Sequence, residues 1–283
     1  PAHCTGIATH KPTTGLVPRT GSPLGNAKGL FAQFATSGPM ARNVDDLILA
    51  LRIISGPDGQ DPHCPPVSLR DAYEVDIGNL HVAYFVEDGI SNPSDEVLSV
   101  LQTVIKELQT YVAKVDKIEP KCLKDTYRLL WEGFFLGGDK GEGTKGLLAK
   151  LGVTTPSRLL QDFLLKAIEQ DLSTTQFRNL FREIDQFRIT MLKTFEDYDV
   201  LISLVAGTPA KKHGTCLAES KDLAPCMVHS LTGWPVTVIR CGTSSNGLPI
   251  GIQISAKPWN DHISLALAKK LETIFGGWQQ SPL

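Results

Sequence analysis

Histidines and cysteines are the side chains best suited to do chemistry in this chain, and their spacing excludes several familiar sites. None of the seven histidines begins an H-E-x-x-H, so a helix presenting two zinc ligands and a general base on one face is ruled out. The six cysteines, at 4, 64, 122, 216, 226 and 241, form no C-x-x-C pair and match no histidine spacing. Neither a structural zinc site nor a dense disulfide scaffold is expected; reduced thiols, packed as small apolar residues of an intracellular protein, are. No serine stands in G-x-S-x-G, the strained elbow that exposes a nucleophile at the top of a sheet. His81, in an apolar run, and His229, ahead of Gly233-Trp234-Pro235, are the candidate bases, though each reads more readily as a satisfied structural histidine. A serine, a histidine and an aspartate from remote positions can still converge in space. The stretch GGDKGEGTKG sets Gly138 and Gly143 at phosphate-loop spacing, but Thr144-Lys145 follows in the reverse of the Lys-Ser/Thr order. That order defeats both the lysine and the hydroxyl, so Gly133 to Gly152 is expected to be a flexible surface loop.

The elements that must position any site follow from periodicity. The first forty residues are rich in Gly, Pro, Thr and Ser, and His10 to Thr13 and Arg19 to Pro23 read as turns and extended segments. Asn43 to Ile54 reads as a capped amphipathic helix with Leu47, Leu51 and Ile54 on one face. His81 to Val86 is a β-branched and aromatic run, hence a strand. After Asn92-Pro93-Ser94, Val97, Leu101, Val104, Leu108 and Val112 recur at helical spacing, and Val115 to Ile118 returns as a strand. Helices are expected over 157–171 and 174–197, the second with a core stripe of Phe177, Phe181, Ile184, Met191 and Phe195. In the first, Leu159, Leu160, Phe163, Leu164 and Ile168 oppose Arg158, Lys166 and Glu169, a pattern that suits ordinary packing, a channel wall or a membrane surface. Asp199 to Leu204 is a buried strand broken at Gly207-Thr208-Pro209. Val236 to Ile239 and Ile250 to Ser255 form a hairpin, and Asn260 caps a last helix that stops at Gly276-Gly277. Alternating strands and helices with no linker or repeat predict one α/β domain over 1–283, a mixed central sheet between two helical layers.

Composition narrows the class. With 283 residues, 42% hydrophobic, the chain can bury a substantial core, and 28 basic against 30 acidic residues leave a net charge of -2. No basic field exists to attract nucleic acid. No run approaches eighteen apolar residues, Val200 to Ala206 being among the longest, so a spanning helix is excluded.

Two local sequences carry a resemblance. PAHCTGIATHKPTTGLVPRTG and SGPMARNVDDLILALRIISG are similar to the segments that follow the nucleophile in the amidase signature family, and GWPVTVIRCGTSSNGLPIGIQISAKPWNDHISLALAKKLETIFGGW resembles that family's C-terminal hairpin and helix. CTGIATHKP, PWNDHISLALAKKLE and FGGW most resemble its fatty-acid amide hydrolases, the type-two group in particular. Both ends are covered well, and residues 60 to 200 only in layout.

The resemblance implies a Ser-cisSer-Lys triad, in which a neutral lysine takes a proton through a bridging serine while the second serine attacks the amide carbonyl. An acyl-enzyme forms, backbone N–H groups hold the oxyanion, and the relay protonates the departing amine. No metal or organic cofactor is implied. Of the signature from G-G-S-S-G-G to S-I-R-x-P-A, only Pro1 and Ala2 are present, so the triad is expected upstream of Pro1, with an N-terminal part of the domain. No catalytic residue is assigned in this chain; Lys11, Ser22 and Ser37 take no triad role, and the chain alone is expected to be inactive.

What the resemblance does place here is the wall of a pocket. Cys4 is expected beneath the nucleophile, and Gly6 to allow close backbone approach; Thr208, Cys226, His229 and Trp234 fall where family members contribute acyl- or leaving-group contacts. Packing is the alternative for each. His229-Ser230 replace a frequent Phe-Asn, which leaves the substrate open. The leading expectation is a serine amidohydrolase acting on a small-molecule amide, lipophilic or fatty-acyl. The alternatives are a non-catalytic binding or dimerising module and a glutamyl-tRNA amidotransferase A-type subunit. Membrane-surface contact through an N-terminal region and a homodimer are left open.

Overall fold

The computed structural model describes residues 1–21, 29–215 and 218–280; the expected turn at Ser22-Pro23 and Cys216 lie outside the described residues. In chain order, a one-turn helix α1 (Ala2–Thr5) leads to strand β1 (Ala8–Lys11), β2 (Met40–Ala41) and helix α2 (Val44–Ile54). Next come β3 (His81–Tyr84), α3 (Asp95–Leu108) and β4 (Lys114–Lys117), then α4 (Thr126–Leu130), α5 (Glu142–Lys150), α6 (Arg158–Glu169) and α7 (Thr174–Thr194). Strand β5 (Val200–Leu204), helix α8 (Ala224–Thr232), the hairpin β6 (Val236–Thr243) with β7 (Pro249–Ala256), and α9 (Asp261–Phe275) complete it. No described helix is long and apolar enough to cross a membrane.

The strands form one mixed sheet in the order β2-β1-β6-β7-β5-β3-β4. Only β5, β3 and β4 run parallel; every other pair is antiparallel. Alternation along each strand divides the interior into two cores. Val82, Val200, Ile202, Ile239 and Ile252 meet α2, α3 and α9 on one face, while Ala83, Phe85 and Leu201 meet α4, α7 and α8 on the other. The expected sandwich of a mixed sheet between helical layers is the observed architecture. In α3, Val97, Leu101, Val104 and Leu108 are all buried, as their spacing requires. The crossover from β3 to β4 runs through α3 on one face and that from β4 to β5 through α4 to α7 on the other. The strand order therefore reverses at β3, and the carboxyl ends of β3 and β5 open on the crevice where such sheets take ligands.

One expectation fails. The glycine-rich stretch is not a flexible loop: Trp131–Phe135 is a π-helical turn and α5 runs straight through Gly143 and Gly146. Gly141 supplies the left-handed N-cap at φ 79, and Asp139 accepts from the N–H groups of Gly141 and Gly143, so the helix start is closed despite the glycines around it. The opening segment mixes turns with extended chain, as its composition suggests, and adds one helical turn. His10 and Lys11 lie in β1, held by pairing with Thr237 and Val236 of a strand far along the chain, and Ala2–Thr5 is helical. The apolar stripe of α6 also divides. Phe163 packs on Trp131 and Leu164 on Gly141, whereas Leu159 and Leu165 are more than half exposed.

Candidate functional site

Helix α1 sits at the carboxyl end of β5, and His3 fixes it there. The His3 ring is buried; its Nε2 donates to the Thr208 carbonyl at 2.9 Å and its Nδ1 accepts from Gly251 N–H at 3.0 Å. Those two bonds select one neutral tautomer, consistent with a pKa lowered chiefly by burial. Gly6 then ends α1 at φ 70, donating its N–H to the Ala2 carbonyl at 2.8 Å. A Cβ at Gly6 would stand 3.1 Å from Pro249 Cβ. Gly6→Ala is expected to cost about 1–2 kcal/mol from the left-handed backbone alone, read as a lower urea midpoint with unchanged slope. An unchanged midpoint would show that α1 is not docked as described.

Thr208 is clamped from its own loop. Its Oγ1 donates to Asp222 at 2.7 Å and accepts from Lys211 Nζ at 3.0 Å, and Lys211 pairs with Asp222 and Glu219, each at 2.8 Å. Burial pulls the Lys211 ammonium down, but those hydrogen bonds outweigh it and leave its pKa raised. Behind this loop the buried Gln253 Nε2 donates to Ser203 Oγ, the Leu204 carbonyl and the Pro225 carbonyl, tying β7 to β5 and α8. No sequence pattern pointed to Lys211, Asp222 or Gln253.

The remaining candidates divide between surface, helix and core. Cys4 is exposed and borders a groove of about 590 Å³ shared with Gly6, Arg240, Leu248, Pro249 and Trp278. Cys226 lies on α8; burial pushes its thiol up to about 11, and Sγ donates to the Leu223 carbonyl at 3.1 Å. That thiol is inert packing chemistry. His229, one turn on, is 1% exposed with neither ring nitrogen hydrogen-bonded, and burial together with the Lys11 charge pushes it down to about 3. Trp234 is equally buried and packs its ring 5.2 Å from Phe195, within the α7–α8 core. His81 is exposed at the opposite, amino end of β3, away from Thr208. Among the described residues, no group of three or more His, Cys, Asp or Glu side chains is placed to hold a metal ion. Cys4 and Gly6 thus face a groove while His229 and Trp234 lie in the interior, and Cys226 and His229 are not bonded into a nucleophile–base pair.

A protein-family model described as Amidase matches residues 1–265. The chain belongs to the amidase family. Human fatty-acid amide hydrolase 2 is 29% identical over 98% of the chain and 55% of its own length. The A subunit of the Macrococcus caseolyticus glutamyl-tRNA(Gln) amidotransferase is also 29% identical, over 97% of the chain and 61% of its own length. Among solved structures, 6-aminohexanoate cyclic dimer hydrolase superposes with a TM-score of 0.81 at 19% identity, covering 97% of this chain and 61% of that one, a likeness of fold. The chain spans less than two thirds of the length of these relatives.

In this amidase chain one polar network escaped the sequence reading. His10 Nε2 meets Asp261 Oδ1 at 3.1 Å, and the Asp261 carboxylate also accepts from Thr13 N–H at 2.8 Å and Thr13 Oγ1 at 2.6 Å. Thr237 Oγ1 donates to Ser264 Oγ and Ser264 Oγ to the Asp261 carbonyl, which leaves Thr237 Oγ1 to accept from His10 Nδ1 at 2.9 Å. The network locks β1, which continues from α1, to the first turn of α9. The juxtaposition of two chain regions carries no local signature; only the shared resemblance of both ends to one family hinted at it.

Proposed function

We propose that this chain forms the C-terminal part of a single serine amidohydrolase domain that cleaves lipophilic amides through an acyl-enzyme. The observation that carries the reading is the amidase-family match over residues 1–265, which takes in the α1 segment seated at the carboxyl end of β5. Under this reading the nucleophile lies just ahead of Pro1, Cys4, Gly6 and Thr208 line the floor beside it, and Cys226 and His229 line the wall from α8. Similarity to human fatty-acid amide hydrolase 2 along nearly the whole chain supports a fatty-acyl substrate. The full-length gene product is expected to be labelled by a fluorophosphonate probe at a serine and to hydrolyse oleamide, both lost together on blocking that serine. A full-length product that neither labels nor cleaves any amide overturns the proposal and leaves a binding module.

The similarity to the amidotransferase A-type chain favours a second reading, in which the protein hydrolyses the glutamine amide within a complex and passes the ammonia to a partner subunit. Copurifying partners with glutaminase activity decide for it. The outward Leu159, Leu165 and Ile168 of α6, with Leu151 just beyond α5, support contact with a membrane surface. Replacing Leu159 and Leu165 by Glu is then expected to reduce cosedimentation with phosphatidylcholine vesicles. A homodimer is proposed alongside, to be read by light scattering.

A further inference from the structure

On the sheet face that α8 covers, a strand presents a cation without an ion-pair partner and a helix presents a histidine whose ring nitrogens make no hydrogen bond. Along β1, Ala8 enters the core beneath α9 and His10 reaches Asp261 of α9, so the strand's alternation turns Lys11 to the opposite face. Helix α8 lies on that face, with Val228 and Leu231 in its core, and the Gly233 carbonyl at its end accepts from Thr14 N–H, three residues beyond Lys11.

Lys11 Nζ donates to the Pro12 carbonyl at 2.9 Å, and among the described residues no carboxylate lies within ion-pair distance of it. His229 offers two buried ring nitrogens without a partner. Leaving a buried polar group unsatisfied is costly, and an ammonium short of a counter-charge more so. Burial holds Lys11 down to about 8 and, with that charge nearby, His229 down to about 3, so near neutral pH the two are an ammonium and a neutral imidazole. Such a pair offers spare N–H donors and one net positive charge. The group that satisfies both at once is an oxygen anion, and a carboxylate is the form a small amide substrate can carry.

We infer that Lys11 and His229 form an anion-accepting subsite in the pocket wall, which takes a carboxylate borne by the substrate away from the scissile amide. The inference rests on the amidohydrolase reading and narrows its substrate class to amides that carry an acid group.

The test uses the full-length enzyme and two matched pairs of amides: the monoanilide of adipic acid against hexananilide, and N-decanoylglycine against N-decanoylpropylamine. His229→Phe and Lys11→Met are each expected to lower the ratio of kcat/KM, acid over neutral, at least tenfold for one of the pairs. A ratio unmoved by both variants in both pairs overturns the subsite. Should the wild-type enzyme cleave none of the four, the amidase reading fails on its own, and binding decides the subsite. Sodium hexanoate is then titrated while the His229 imidazole nitrogen shifts are followed by NMR. Shifts that saturate in the wild type and vanish in Lys11→Met support the subsite; unmoved wild-type shifts overturn it.

Discussion

Asp261→Ala is expected to destabilise the protein by about 3–5 kcal/mol, because it removes the acceptor that three buried donors share. The carboxylate is 1% exposed and receives Thr13 N–H, Thr13 Oγ1 and His10 Nε2, so truncation strands all three without water to replace it. Asp261→Asn keeps one acceptor oxygen and is expected to lose less. The acid limb of stability carries the same signature. Burial works to raise the Asp261 pKa, but the hydrogen bonds from His10 and Thr13 outweigh it and hold the folded value below the ordinary one. A depressed folded value contributes stability that is fully present above the unfolded pKa of about 3.9, and that is lost as the pH falls through the folded value. Urea unfolding at pH 6 and near pH 3 therefore should show the wild type falling toward the alanine variant. A gap that stays constant across that range would place the stabilisation elsewhere.

Trp234→Ala carries the second large effect, also about 3–5 kcal/mol. The indole is fully enclosed between α8 and α7, in ring contact with Phe195 and sharing its cluster with Ile184, Val228 and Leu231. Those neighbours are anchored on two separate helices, which limits how far the hole can collapse. Trp234→Phe retains most of the volume and is expected to cost well under half as much. Thermal unfolding checks both; a loss below 1 kcal/mol for alanine contradicts a role as the packing centre of that core.

Elements whose evidence is local were readable from the residues. The α3 stripe, the β6–β7 hairpin with its turn at Gly247, and the stop of α9 at Gly276, φ 78, are each set by residues within a few positions of one another. The pairing of β1 was hidden because its main partner is remote: the extended segment carries no local sign that β6 lies beside it. The same distance hid the Asp261 network, whose partners His10 and Asp261 stand 251 residues apart. The helix through Gly143 and Gly146 was misread for a different reason. Glycine content argued for a loop, while the deciding contributions were the Asp139 carboxylate that closes its N-terminus and Leu164 packed across Gly141. The family resemblance pointed to Gly6, Thr208 and α8 as pocket positions, and the structure shows how each is held: the left-handed turn at Gly6, the Asp222 clamp on Thr208 and the enclosed face of α8. The Lys211–Asp222–Glu219 clamp was not legible, because an ion pair within an irregular loop has no periodicity.

The bond between β1 and the first turn of α9 also sets a timetable for biosynthesis. A ribosome adding about 5–20 residues per second delivers β6 and α9 roughly ten to fifty seconds after β1 has emerged. Through that interval the early strand has only the two-residue β2 beside it, and the N–H and C=O groups on its β6 side stay exposed, a state prone to wrong pairings with other nascent chains. Folding of this region is thus held back until β6 and α9 have emerged, which makes it a natural client for chaperones that shield unfinished strands.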